Sequence, residues 1–197
     1  MRFEPSAKPP VFDLDELSSK LAFARLRLRD ALQIQPIRDA LTGVHTRRFM
    51  NEMLTRQIHR ATRKQRSFAL IVLDFDYLQH FNCNYGHRAG DEVLRELGKL
   101  LISRAQPGET SYRVAGDEFV ILLPDTSVEA ASLSAQQLKE EFAGLRIPYN
   151  EENLQPPSFT TGVAGYPESG TTGESLFQVA EEAMYAVKSR ARVPIML

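Results

Sequence analysis

Val114-Ala115-Gly116-Asp117-Glu118-Phe119 lies between two segments that read as strands, 111–114 and 119–123. Small residues, two acids and then an apolar run describe a tight β-hairpin with carboxylates at its tip. Adjacent acids in a turn repel each other, so something there must favour them, and a divalent cation is the usual partner. Upstream, Phe68-Ala69-Leu70-Ile71-Val72-Leu73 is an unbroken apolar run closed by Asp74. Such a run reads as a buried central strand, and its carboxyl end is where open α/β sheets bind ligands. Asp74, Asp117 and Glu118, converging from a strand end and a hairpin tip, make a Mg²⁺ site suited to nucleotidyl transfer. Taken alone, the acidic hairpin reads more simply as a solvated turn.

Outward from the hairpin, helical and strand periodicities alternate. A helix over 47–64 carries Met50, Met53, Leu54 and Ile58 on one face, and the apolar strand spans 68–76. A second helix, 89–104, turns Val93, Leu94, Leu97, Leu100 and Leu101 inward. A third, 128–144, spaces Val128, Ala131, Ala135, Leu138, Phe142 and Leu145 at helical intervals. Pro156-Pro157 breaks the chain before a strand at 159–166, and a last helix over 174–190 is expected to bury Leu176, Val179, Ala180, Ala183 and Val187. The order α-β-α-β-β-α-β-α predicts an α/β (α+β) fold with a mixed sheet covered by helices. Before it, residues 1–12 are rich in proline and charge and are expected to be disordered. Over 13–38, Leu14, Leu17, Leu21, Ala24, Leu28 and Ala31 form an a/d stripe, with Asp13 as N-cap and Pro36 as terminator. That N-terminal helix is read as a coiled-coil-like linker; the alternative is that it packs on its own domain.

Composition narrows the function classes. The chain has 197 residues, 43% hydrophobic and 25% charged, with a formal net charge of −1. Near-neutral charge gives no broad surface for DNA or RNA, so no nucleic-acid partner is expected. A small triphosphate needs only a local cationic patch. The single cysteine, Cys83, has no internal disulfide partner, consistent with a reducing compartment. No run approaches the roughly 18 apolar residues of a membrane span, and Met1-Arg2-Phe3-Glu4-Pro5 lacks an apolar signal core. A cytoplasmic location without a membrane partner is the expectation.

Five blocks in order resemble one family, the GGDEF domains or diguanylate cyclases. The hairpin resembles its signature with Ala115 in the first position. Asp39-Ala40-Leu41-Thr42-Gly43 with Arg47-Arg48 resembles its opening motif. Asp74-Phe75-Asp76 with Asn82, Gly86-His87, Gly90-Asp91 and Leu94 resembles its metal and guanine block. Thr160-Thr161-Gly162-Val163-Ala164 resembles its late central strand. Ala183-Met184-Tyr185-Ala186-Val187-Lys188 with Arg192 resembles its last helix and phosphate motif. The resemblance assigns 39–197 to that domain and implies a mainly antiparallel sheet like that of nucleotidyl cyclases and polymerase palms. It implies condensation of two GTP into cyclic di-GMP, with Mg²⁺ (or Mn²⁺) as cofactor. It also implies a homodimer and, upstream, a sensor or receiver module.

Residue by residue, the resemblance makes Asp74 and Glu118 metal ligands with the Phe75 carbonyl. Asp117 either shares a metal or assists deprotonation of the attacking hydroxyl. Asp76 joins them only if the strand persists that far. Asn82 and Asp91 would read guanine, since a carboxylate can accept from both N1–H and the exocyclic amine. In isolation Asn82 fits a turn and Asp91 a helix N-terminal acid equally well. Ala115 and Gly116 would pass close to the nucleotide, Gln79 would meet phosphate, and Lys188 with Arg192 would hold the outer phosphates. The last two equally suit a helix C-terminus. Asp39, Arg47 and Arg48 read as structural, and His45, His59, His80 and His87 show no metal-ligand spacing.

Several positions depart from the pattern. Ala115 replaces a glycine, Gln79 a lysine, Thr46 an asparagine and Cys83 an aspartate, while Ala191 and Val193 replace a glycine and an asparagine. The family's inhibitory Arg-x-x-Asp is here Gln106-Pro107-Gly108-Glu109. The alternative to an active cyclase is a degenerate domain that binds GTP or cyclic di-GMP and regulates a partner, and a third is a dimerisation scaffold.

Overall fold

Strand β2 (Phe68–Phe75) is the apolar run of the sequence, and it is paired on both sides. It runs antiparallel to β4 (Glu118–Pro124) and to β7 (Phe159–Tyr166). β3 (Thr110–Ala115) lies antiparallel to β4, and the two-residue β1 (His45–Thr46) lies parallel beside β3. The sheet order is β1-β3-β4-β2-β7, so the sheet is mixed and mainly antiparallel. These statements come from a computed structural model that describes Leu21 and residues 36–191. The expected N-terminal helix therefore lies almost wholly outside the described residues.

Side chains alternate across the sheet with period two, and each face carries its own core. Ala69, Ile71, Leu73, Phe75, Phe119, Ile121 and Leu123 meet Val93, Leu97 and Leu101 of α3 (His87–Arg104) and Ala131, Leu138 and Phe142 of α4 (Val128–Ala143). On the other face, Phe68, Leu70, Val72, Val120 and Leu122 meet Met50 and Leu54 of α1 (Arg47–Lys64) and Leu176, Ala180 and Met184 of α5 (Gly173–Ala191). Burying each large apolar side chain contributes about 1.5–3 kcal/mol, which is why β2, hidden on both faces, dispenses with polar residues until Asp74. The Phe75 ring, 5.7 Å from Phe142 and 5.9 Å from Phe159, anchors the strand one residue past that acid.

The structure differs from the sequence expectations in four places. β7, read as a central strand, is at the sheet edge, because no strand among the described residues pairs beyond it. The buried row of α5 is Leu176, Ala180, Met184 and Lys188, whereas Ala183 and Val187 are exposed. The cause is close packing on β7: a Cβ on Gly162 would lie 1.9 Å from the Ala180 carbonyl oxygen, so the helix presents a strict four-residue row to the strand. A short helix α2 (Leu78–Tyr85) precedes α3. Finally, β5 (Ile147–Tyr149) and β6 (Glu152–Leu154) form a separate hairpin whose turn residues, Asn150 and Glu151, are both left-handed.

Candidate active site

The site is built from the hairpin upward. Ala115 pairs with Glu118, leaving Gly116 and Asp117 as a two-residue turn, and a bulge in β3 between Arg113 and Ala115 supplies the extra bend. Five non-glycine residues among those described have positive φ, and Ala115 is not one of them, so its methyl group fits the backbone without strain. A Cβ on Gly116 would meet no atom within 4 Å. Arg113 holds the turn by donating from Nε and Nη2 to the Gly116 carbonyl, at 2.9 and 2.6 Å. Its Nη1 donates to Asp39 Oδ1 at 3.0 Å, and Asp39 also accepts from the backbone N–H and hydroxyl of Thr42. Partial burial opposes ionisation of Asp39, but the hydrogen bonds from Thr42 and Arg113 outweigh it and hold its carboxyl below the ordinary value. Asp39 is thus a structural acid, two steps from the signature turn.

At the end of β2, Asp74 is the direct cross-strand partner of Glu118. Two carboxylates side by side on one ladder repel, and both titrate upward. Burial pushes Glu118 to about 7, helped by the neighbouring carboxylates of Glu181 and Asp74 and opposed by Arg47. Burial also raises Asp74, against the hydrogen bond and charge of Lys188. The Lys188 ammonium donates to Asp74 Oδ2 at 2.5 Å and to the Phe75 carbonyl at 2.9 Å, and lies 3.7 Å from Asp76 Oδ1. Only 7% of this lysine is exposed. Asp76 in turn accepts from the hydroxyls of Ser158 and Thr160, tying the loop after β2 to β7. Among the described residues no three His, Cys, Asp or Glu side chains come together as a ready-made metal cluster. Asp74 is instead turned toward Lys188, and Glu118 toward Glu181.

A cleft of about 480 Å³ opens over this strand end, lined by Asp74, Phe75, Asp117 and Lys188 and by Tyr77, Gln79 and Cys83 from the α2 side. Asn82 sits within α2 rather than in a turn, and its amide oxygen is buried without a hydrogen-bond partner, packed over Gly90. A Cβ on Gly90 would fall 1.9 Å from that oxygen, so glycine is needed there for Asn82 to lie flat. Asp91, half-buried, lies beyond the first turn of α3, which disfavours a helix-dipole role. Gly86, φ +88°, makes the sharp joint between α2 and α3. Arg192 lies outside the described residues. Gln106-Pro107-Gly108-Glu109 closes on itself, with the Gln106 N–H donating to Glu109 Oε2 at 2.9 Å.

Arg113 and Glu181 were not singled out from the sequence. Nothing in spacing distinguishes Arg113 from any strand cation until the bulge turns it toward Gly116. Glu181 becomes visible only when α5 is docked, bringing it toward Glu118. A second cleft of about 600 Å³, between α1 and α5, is lined by Arg47 and Glu181. Of its charged residues, Arg47 and Glu181 are the neighbours that act on Glu118, and its apolar walls of Met50, Leu54 and Phe177 belong to the packing of those helices.

Comparison with known proteins follows the same boundaries. A family model described as diguanylate cyclase, GGDEF domain, matches residues 37–193. Response regulator PleD of Caulobacter vibrioides is 31% identical over 172 residues, covering 86% of this chain and 37% of that protein. Diguanylate cyclase DgcP of Pseudomonas aeruginosa is 32% identical over 154 residues, covering 78% of this chain and 23% of its own length. The chain therefore spans 37% and 23% of the length of these two relatives. A solved sensory box/GGDEF family protein from Caulobacter crescentus superposes with a TM-score of 0.73 at 31% identity, covering 78% of this chain and 99% of that one. The GGDEF domain of Caulobacter crescentus DgcB, solved with cyclic di-GMP, gives 0.74 at 26% identity, covering 80% and 90%. No helix among the described residues is long and apolar enough to cross a membrane. The signature hairpin, the strand-end acid and the matched length agree: this chain belongs to the GGDEF family of diguanylate cyclase domains.

Proposed function

We propose that this domain is an active diguanylate cyclase, condensing two GTP into one cyclic di-GMP and two pyrophosphates. The observation that carries the proposal is the cation already held at the strand end: a lysine ammonium on the Asp74 carboxylate and the Phe75 carbonyl, with Glu118 alongside. Those oxygens, with the excess negative charge reflected in the raised Glu118 and Asp74, suit Mg²⁺ (or Mn²⁺). When bound, the ion neutralises phosphate charge and lowers the pKa of the attacking hydroxyl.

The protein's own groups divide the remaining work. The buried, unpartnered Asn82 oxygen and Asp91 hold the guanine; adenine, lacking the N1–H donor, would leave the acid unpaired. Lys188 and Arg192 hold the outer phosphates, and Arg113 steadies the Gly116 carbonyl so that the turn keeps its shape beneath the nucleotide. In each half-reaction the ribose 3′-oxygen forms a bond to the α-phosphorus of the other GTP while the bond to pyrophosphate breaks. Asp117 either receives the hydroxyl proton or shares the metal. Both halves need a second GTP held in opposition, so the working unit is a homodimer, and the stripe over 13–38 raises the local concentration of the second half-site.

Purified protein incubated with GTP and Mg²⁺ tests this directly. Cyclic di-GMP in the products supports the cyclase. GTP binding without product supports the alternative, a binding module, which Gln79 favours because it places an uncharged side chain on the cleft wall where the family carries lysine.

A further inference from the structure

The contacts of Lys188 carry one step more. Its ammonium is bound by Asp74 Oδ2 and the Phe75 carbonyl, two of the three oxygens to which the metal is assigned. A divalent ion and an ammonium cannot share those oxygens: the distances would be far too short and the charges alike. Lys188 is not a passing visitor, because it completes the buried row of α5, and that row is locked on β7 at Gly162. Its flexible stem can carry the charge outward, into the cleft over the strand end that it already lines.

We propose that Lys188 is an internal competitor of the metal, and that nucleotide phosphate relieves the competition. This rests on the cyclase reading above. With no phosphate in the cleft, the ammonium satisfies Asp74 and the Phe75 carbonyl, and a divalent cation must displace it toward Asp76, whose carboxylate already accepts from Ser158 and Thr160, and Asp117, which offers only a single charge at the cleft wall. Once a triphosphate is present, the ammonium can swing to phosphate oxygens and release the strand-end oxygens. Metal and nucleotide then bind with positive coupling, each increasing the affinity of the other by the same factor. The site thereby rejects free divalent cations and accepts the metal–nucleotide pair.

The experiment is a Mn²⁺ titration, followed by the electron paramagnetic resonance signal of the free ion, on the full chain with and without a GTP analogue bearing a methylene between the α- and β-phosphates. Lys188→Met removes the competitor; Lys139→Met is the control, since Lys139 acts on nearby Asp76 through charge without touching Asp74. Lys188→Met should bind Mn²⁺ alone at least tenfold more tightly than the parent, and the gain conferred by the analogue should shrink by a similar factor. Lys139→Met should change either quantity by less than about threefold, as expected of a screened charge. Unchanged or weaker Mn²⁺ binding by Lys188→Met, or an equal gain from Lys139→Met, overturns the proposal. Should the parent bind no Mn²⁺ even with the analogue, the metal reading itself fails, which is a separate result. A readout in the parent covers the case in which Lys188→Met does not fold. The ¹⁵N-labelled Lys188 ammonium should be protected from exchange without ligands and shift when Mg²⁺ and the analogue are added together, and a resonance that stays in place refutes the displacement.

Discussion

Replacing Glu118 by glutamine should stabilise the fold while removing a proposed metal ligand. Glu118 lies beside Asp74 and near Glu181, and burial with these neighbours raises it from an ordinary 4.5 to about 7. Tenfold in proton affinity is worth about 1.4 kcal/mol, which bounds the cost of ionising Glu118 in the folded state at roughly 3 kcal/mol. Half-burial leaves solvent to screen the charge, which reduces the expected gain to about 1–2 kcal/mol. The sign follows from linkage. A carboxyl raised on folding favours the folded state below its ordinary value, and that contribution is lost as pH climbs through the folded value. Parent and Glu118→Gln should therefore have similar stability near pH 4.5, with the variant pulling ahead up to about pH 7 and holding a constant lead above it. Urea unfolding in chelator, at several pH values, measures the difference. With Mg²⁺ and a GTP analogue the ranking should reverse, because ligand binding stabilises only the form that binds. A variant no more stable than the parent at pH 8 in chelator, or a lead that does not vary with pH, refutes the reasoning.

Other perturbations separate the roles assigned to neighbouring residues. Arg113→Ala removes the support of the Gly116 carbonyl and the charge beside Asp39; we expect a loss of about 1–3 kcal/mol in unfolding experiments and a lower kcat. Asp39 is held below its ordinary value, so its stabilisation exists above that value and is lost as pH falls through the folded one; Asp39→Asn should flatten the acid limb of the stability curve. Asp91→Ala should weaken GTP binding, read by isothermal titration, with little change in melting temperature. Gln79→Lys should raise the rate of cyclic di-GMP formation by about ten- to a hundredfold, the worth of a charge-assisted phosphate contact of about 1.5–3 kcal/mol. Ala115→Gly should do much less, because the backbone at Ala115 already accepts a side chain.

The strands and long helices were legible because each has one strong period. Phe68 to Leu73 is short, apolar throughout and closed by an acid, which reads as a buried strand, and the acidic hairpin is bracketed by two apolar segments. The short α2 was hidden because Leu78–Tyr85 offers only Leu78 and Phe81 to the core, less than an amphipathic pattern needs. The last helix was read one step off: Ala183 and Val187 fit a helical stripe as well as Met184 does, and only the approach to Gly162 decides which row is buried. That same decision takes Lys188 out of solvent and onto Asp74, a contact across 114 residues that no local pattern reveals. Asn82 and Asp91 were named from the family resemblance; spacing alone left them as a turn residue and a helix acid.

The central claim is that Asp74 and Glu118 serve phosphodiester formation between two GTP molecules. The most direct measurement follows conversion of GTP labelled with ³²P at the α-phosphate by the parent and by Asp74→Asn with Mg²⁺, counting labelled cyclic di-GMP and, by a separate coupled enzymatic assay, the unlabelled pyrophosphate released. A working site gives slow formation of labelled cyclic di-GMP with two pyrophosphates for each, and none from a folded Asp74→Asn. Absence of product from the parent and from the Gln79→Lys/Ala115→Gly double variant, both held as dimers and both binding GTP, contradicts it.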